Sequence, residues 1–585
     1  MMLPSNNSRK LFMPVIVLVS LAAATLVYWW GYQKPLIGID DANIYFVYMK
    51  NLAEGRGFVW NTGGERVEGF TSLLWTLIGA LFYKLSPTQF PVLLLALGFI
   101  LTFLTVYNLL KFSRKLYQKQ GSLLTGTDVI ILTLVLAPRG YIEWNVINLM
   151  ETSLWTFLLV RITLELCRFY LDGSSINITR FSVLLILLNL TRPESAAFNL
   201  LFISIFFIIF HSESGLKTAL RKTAVPLMVH VVSFASLIGW RLSYFGYPFP
   251  NTYYAKVSGN KIDNIVAGLH YIFNFFFLYP HVAFLAGVLF FFGIYFFRKA
   301  RSNSNHLTSN DKILAILFSV VLAGLALPVL TGGDHFTFAR FYLPFLPLLY
   351  LAATDRYLWQ KTVGVGIQVQ PTAKVILLLA FIVTVLFSSK STVFDFFTRH
   401  GLVNFPEFDI ATKGRFAAEK MNEAFAAGNY PSIGSFATGG VGYSYKGQTI
   451  DLLGLNSTVM AHASRIKTGI RNHASFDKKA FWQLKPDVLG TAYGGEVITD
   501  TASFVLYENI PGYRNDNFLY LAYKKIFDDE DFRAVYFPAL VHPKNKDYFI
   551  FGYYKKAFLD SLDSSAYGIK LLERKFNPAG PLSKK

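Results

Sequence analysis

Two adjacent carboxylates, Asp40 and Asp41, stand shortly after the apolar run Leu11 to Trp30. Paired acids at the outlet of a helix can do proton chemistry. One carboxylate takes the proton from an attacking hydroxyl, while its neighbour orients it or tunes it by like-charge repulsion. The same pair suits a solvated helix cap, where acidic side chains meet the positive end of the helix dipole. Spacing alone leaves both readings open. Further ionisable groups recur near the ends of apolar segments: Glu65, Glu68, Glu151, Arg192, Glu194, Lys256, Asp334, His335 and Arg340. Single charges at such depth often snorkel to water, but a convergent set points to a polar cavity.

The elements that must position these groups are membrane helices. Of 585 residues, 53% are hydrophobic and only 16% charged. A soluble chain carries about a quarter charged residues, so long stretches here are solvated by lipid. The 17% aromatic content, led by 56 Phe, suits helices lying against lipid and its interface. A net charge of +19 invites a nucleic-acid reading. The basic residues, however, sit in short loops between apolar runs, where they set topology rather than build a phosphate-binding face. The single cysteine, Cys167, excludes an intrachain disulfide. No cluster has the spacing of a metal site, which leaves divalent-metal dependence open.

The run Leu11 to Trp30 is long enough to span the hydrocarbon, and no small-x-small cleavage site follows it. It reads as a retained first crossing with its basic end, Arg9 and Lys10, inside. Further apolar runs lie at about 90–110, 128–138, 151–168, 180–191, 193–210, 224–243, 280–297, 313–330, 341–354 and 373–389. Placing the basic loops in the cytoplasm gives a consistent alternation of about eleven crossings, provided that Phe70 to Leu85 does not cross. The runs 128–138 and 180–191 are short for a span and must extend into their flanks or bend. This parity puts segments 32–89, 139–150, 191–194, 244–279 and 331–340, and everything after 390, on the outer side.

Beyond residue 390 no run is long enough to span, and charge density is ordinary. Asp409 to Ala427 has helical periodicity, Thr449 to Leu453 reads as a buried strand, and Val488–Leu489 and Phe504 to Tyr507 are further strand candidates. Asp528 to Val535 and Tyr553 to Leu562 read as helices. The expected architecture is a polytopic α-helical membrane module over residues 1–390, followed by a soluble α/β domain over 391–585 on the outer side.

Six motifs carry a resemblance. The run Ile39-Asp40-Asp41-Ala42-Asn43-Ile44-Tyr45, continuing to Trp75, is similar to the first outer loop of GT-C superfamily glycosyltransferases. More narrowly, it resembles the mycobacterial terminal β-arabinofuranosyltransferase family and its bacterial relatives. The other motifs follow in the family's order. They are Asn148-Leu149-Met150-Glu151-Thr152, Thr191-Arg192-Pro193-Glu194, Tyr247 to Lys256, Gly332-Gly333-Asp334-His335-Phe336 with Arg340-Phe341, and Ile450-Asp451-Leu452-Leu453-Gly454-Leu455. Asn148 stands where the family pattern has Gly. The resemblance covers most of residues 30–490, and the stretch 510–585 has no match.

The resemblance implies a GT-C fold in a bacterial inner (plasma) membrane, with the N-terminus cytoplasmic and the C-terminal domain periplasmic. It implies transfer of a monosaccharide from a polyprenyl-phosphate donor to an envelope glycan or glycolipid acceptor, with inversion. The lack of any nucleotide cradle such as GxGxxG agrees with a lipid-linked donor. On this reading Asp40 is the base and Asp41 positions the acceptor. Arg192, Lys256 and Arg340 hold the donor phosphate, as guanidinium forks and ammonium charges do. Glu68, Glu151, Glu194, Asn251, Asp334 and His335 contact sugar or acceptor, or pair with those cations. Two other classes stay open: a polyprenyl-diphosphate oligosaccharide ligase or polymerase, and a non-catalytic envelope-assembly scaffold.

Overall fold

The computed structural model describes residues 6–32, 35–116, 125–302, 307–355, 406–425, 429–510 and 517–575, together with Leu358, Gly512 and Tyr513. Among them, five helices are long and apolar enough to cross a membrane: α1 (Asn6–Tyr32), α4 (Phe90–Leu116), α8 (Ser195–Phe245), α11 (Pro280–Arg301) and α12 (Ser309–Thr331). These make the chain a multi-pass membrane protein. The 51-residue α8 is broken at Gly215, whose φ of 79° and ψ of 169° are not helical. The break falls in the polar stretch between the apolar runs 193–210 and 224–243, so two helices, one for each run, meet at this kink. The run expected at 373–389 lies outside the described residues.

Shorter helices pack between the long ones: α2 (Asp40–Ala53), α3 (Leu73–Leu85), α5 (Gly126–Leu136), α6 (Thr152–Asp172) and α7 (Ile178–Thr191). Helix α3, capped by the Ser72 side chain accepting from Trp75 N–H, has 13 residues and is about 20 Å long. That is too short to span a core of about 30 Å. The stretch 244–279, expected as an outer loop, carries two helices, α9 (Asn251–Lys256) and α10 (Lys261–Leu278). Polar His270 and Asn274 interrupt the apolar run of α10, which hid the helix. Asn260 starts α10 by accepting from the N–H groups of Ile262 and Asp263. The helical part closes, among the described residues, with α13 (Leu346–Ala353).

From Pro406 the chain builds a mixed seven-stranded sheet in the order β2-β1-β3-β6-β5-β7, with β4 also paired to β6. Strands β1 (Ile433–Ser435), β2 (Thr449–Asp451) and β3 (Val488–Leu489) are parallel. Strands β4 (Glu496–Ile498), β5 (Tyr536–Pro543), β6 (Phe549–Lys555) and β7 (Tyr567–Leu571) join antiparallel. The expected helix over Tyr553–Leu562 is divided: its first residues belong to β6, and the helix runs only over Lys556–Ser561. The segment Phe504–Tyr507 is not a strand; Phe504 and Tyr507 turn their rings onto Phe551 of β6 instead. Helix α14 (Pro406–Ala424) and the short α15 (Gly439–Ser444) lie between this sheet and α2.

Candidate functional site

Helix α2 carries the acidic pair at its first two positions, and its two carboxylates meet different surroundings. Asp40 accepts from Gly439 N–H at 3.0 Å and from Gly440 N–H at 2.8 Å, the first turn of α15. Burial pushes its carboxyl up to about 6, against the pull of those two donors. Close approach requires glycine here: a β-carbon on Gly439 would overlap the Asp40 carbonyl. Asp41 faces a cavity of ≈ 670 Å³. Lys256 Nζ lies 3.9 Å and Arg340 Nη1 3.7 Å from its carboxylate.

The cations expected to hold phosphate differ in how far they are already engaged. Arg192 donates to Glu151 at 2.7 Å and to both oxygens of Glu194 at 3.0 and 3.2 Å. Two carboxylates therefore compensate one guanidinium. Arg340 Nε donates to Asp334 at 2.5 Å, and its guanidinium lies 4.1 Å over the Phe336 ring and 5.0 Å over Trp144. Burial opposes ionisation of Asp334, but the Arg340 guanidinium prevails and holds the carboxyl well below its usual range. Lys256 makes no contact with a carboxylate closer than the 3.9 Å to Asp41 among the described residues. It is the cation of the three with charge to spare for a ligand. Arg192, Lys256, Arg340, Glu151, Glu194 and Asp334 all line the cavity.

Backbone strain aims several of these groups. Leu149 adopts φ 61° just before Glu151, and Phe338 and Ala339 adopt φ 65° and 49° just before Arg340. Left-handed non-glycine residues cost roughly 1–3 kcal/mol each and cluster where geometry is imposed. The five-residue π-helix Glu143–Ile147 precedes the first of these turns, and such π-turns often mark functional sites.

Three residues expected at the sugar or acceptor lie outside the cavity lining. Glu68 forms a two-pronged ion pair with Arg241, at 2.8 and 2.9 Å, and both are almost fully buried. Asn251 donates to the carbonyls of Gly454 at 2.7 Å and Leu455 at 3.0 Å, tying α9 to the loop after β2. That loop is in turn wound around Asp451, which accepts from the N–H groups of Leu453, Gly454 and Asn456. His335 meets Asn472 at 3.2 Å and stands on the ring of Phe336. Glu65 accepts from Thr458 N–H at 3.0 Å and holds the two parts of the chain together.

Sequence reasoning missed four contributors. Lys261 opens α10 on the cavity wall, and Arg471 and Asn472 enter from the α/β part. Glu407, at the start of α14, is half-buried near the acidic pair. Burial, then the charges of Asp41 and Asp40, push its carboxyl up to about 8. Below its ordinary 4.5 the folded and unfolded chains both carry this proton. Between there and about 8 only the folded chain keeps it, so stability falls across that window and is flat beyond it. Glu407→Gln should therefore melt higher than the parent at pH 8–9 and together with it near pH 4. Equal melting temperatures at both ends would place Glu407 in water.

No family model and no curated protein matches the sequence. Among solved structures, ArnT from Cupriavidus metallidurans bound to undecaprenyl phosphate is similar over 73% of this chain and 68% of that chain, at 10% identity and TM-score 0.41. The archaeal oligosaccharyltransferase AglB from Archaeoglobus fulgidus, in complex with an inhibitory peptide and a dolichol-phosphate, is similar over 94% and 75%, at 11% identity and TM-score 0.44. The A. fulgidus oligosaccharyltransferase tethered with an acceptor peptide covers 92% and 74%, at 11% identity and TM-score 0.43. A likeness at this level carries no argument about activity.

Proposed function

We propose that the chain is a lipid-linked-sugar-dependent glycosyltransferase of the GT-C type. It transfers a monosaccharide from a polyprenyl-phosphate donor to an envelope glycan or glycolipid acceptor on the outer face of a bacterial inner membrane. The observation that carries this reading is the Asp41 carboxylate facing the cavity within 4 Å of Lys256 and Arg340. A base beside cations, in a cavity walled in part by the end of the membrane helix α12, suits attack by a hydroxyl on a phosphate-linked carbon. The acceptor hydroxyl gives its proton to Asp41, and its oxygen bonds to the anomeric carbon. The bond from that carbon to the phosphate oxygen breaks, and the electron pair leaves with the phosphate. Direct displacement of this kind inverts the anomeric centre.

The base role passes from Asp40 to its neighbour because Asp40 already serves two backbone N–H donors. A general base must lie within hydrogen-bond reach of the proton it takes, and Asp41 is the one of the two that lines the cavity. Lys256 supports the developing charge on the phosphate. Arg340, with Asp334, orients Asp41. Arg192, with Glu151 and Glu194, offers sugar hydroxyls a wall of fixed donors and acceptors.

The test is the purified chain in nanodiscs with polyprenyl-phosphate sugar labelled in the sugar, offered membrane glycolipid as acceptor. Label appearing in the acceptor with release of polyprenyl phosphate supports the proposal. A labelled oligosaccharide taken only from a diphosphate donor would make the chain a ligase, and no transfer at all a scaffold. Within this reaction Lys256→Ala should raise the donor KM about ten- to a hundredfold, the loss of one charge-assisted contact, with the acceptor KM unchanged. An unaltered donor KM would leave Lys256 as an interfacial anchor.

A further inference from the structure

A second cavity, of ≈ 480 Å³, opens between α10, α11 and α12 and is lined wholly by apolar residues and glycine, among them Phe276, Gly287, Phe290, Leu322, Ala326 and Leu330. Leu330 belongs to the walls of both this groove and the main cavity. At the junction α12 ends in Thr331, and Gly332 and Gly333 take φ values of 94° and 71°. Arg471, from the α/β part, lies in the space this glycine leaves: a β-carbon on Gly332 would overlap its Nη2 and stand 3.1 Å from the Asn264 carbonyl. The guanidinium thus lies against the first turn of α10 and the end of α12.

Arg471 has no hydrogen bond and no carboxylate within ion-pair distance among the described residues, and its Nε is buried without a partner. The acid that acts on it most strongly, Asp334, is already held by Arg340. Burying part of an arginine without a counter-charge is costly. A guanidinium fork fits the two oxygens of a phosphate group. Lys261, one turn from Asn264, adds a second positive charge to the cavity wall.

We infer that Arg471 grips the phosphate of a long-chain lipid phosphate whose hydrocarbon tail lies in the groove between α10, α11 and α12. The tail reaches the cavity past Leu330, and the phosphate enters by the rim at Arg471 and Lys261 into the cavity that Lys256 also lines. This rests on the glycosyltransferase reading for its meaning, since the lipid phosphate is then the carrier of the sugar. The binding site itself stands on the junction of the two cavities. The α/β part accordingly supplies a residue that holds the donor.

The probe is undecaprenyl phosphate, titrated onto the purified full chain in nanodiscs and read by native mass spectrometry. Arg471→Gln removes a side chain that makes no hydrogen bond among the described residues, so the fold is expected to be kept. It should weaken binding of this lipid about ten- to a hundredfold, with Arg471→Lys between. Gly287→Phe, whose side chain would enter open groove space, should weaken the lipid while sparing inorganic phosphate, which competes only at the rim. Unchanged lipid affinity in Arg471→Gln overturns the inference. So does phosphatidylglycerol displacing the probe mole for mole, which would mark an ordinary headgroup site. The readout does not depend on turnover. A chain that binds the lipid through Arg471 but transfers no sugar keeps this inference and sinks the proposed function. A chain that transfers sugar with the same donor KM in Arg471→Gln does the reverse.

Discussion

Asp41→Asn should fold and insert like the parent yet lose at least a hundredfold in transfer rate, the low end of what removing a general base typically costs. The substitution keeps the side chain's size and leaves Lys256 and Arg340 in place, so the loss should fall on kcat and spare the donor KM. Asp40→Asn is the informative partner. Its two contacts are to the N–H groups of Gly439 and Gly440, and a neutral amide can still offer one oxygen to them. It should cost stability at the junction with α15 and impair turnover less. Rates for both variants, normalised to folded protein, settle the order. A near-normal rate for Asp41→Asn with a dead Asp40→Asn would return the base to Asp40. Two active variants would remove the enzymatic reading.

The second large effect concerns Glu68, and it is one of stability. Its carboxylate and the Arg241 guanidinium are 2% and 3% exposed, joined by two hydrogen bonds. Breaking a buried pair by removing one partner costs about 3–5 kcal/mol, because the survivor is left charged and dry. Glu68→Ala should show that loss in denaturant unfolding, while the protein that remains folded keeps ordinary donor and acceptor KM values. Replacing both members together, as Glu68→Leu with Arg241→Met, should recover most of the stability. A Glu68→Ala protein of parental stability with a raised acceptor KM would return Glu68 to the sugar site.

The helices were legible where the apolar run was long and unbroken, as in α4, α11 and α12. They were not legible in α10, where His270 and Asn274, both on its exposed face, interrupt the apolar run, while its buried face is only Gly268, Tyr271 and Phe275. In the site, charge type and order along the chain picked out Asp41, Arg192, Lys256, Asp334 and Arg340, all of which line one cavity. What spacing could not reveal was which charges were already satisfied. Glu68 reads like Glu151 until Arg241 appears 173 positions away. Asp40 reads like Asp41 until Gly439 and Gly440 close on it. Arg471 and Glu407 were hidden for a related reason: a polar residue in a polar segment gives no local sign that the fold has carried it to a membrane cavity. Strand ends failed for a local reason, as Asp451 turns the chain by capping three N–H groups where a longer strand was expected.

The contact between Asp40 and the Gly439–Gly440 turn bears on how such a chain can change over generations. The helical part and the α/β part meet with backbone against backbone, where any side chain on Gly439 would strike the other partner. Neither surface can drift alone, since a substitution on one side has no slack to be absorbed on the other. Exchanging the α/β part for that of a distant homologue would graft a foreign turn onto Asp40 and remove Arg471 and Asn472 from the cavity wall in the same stroke. The two halves are therefore expected to be inherited as one unit, whereas β5 and β7, at the far edge of the sheet, take no part in that contact.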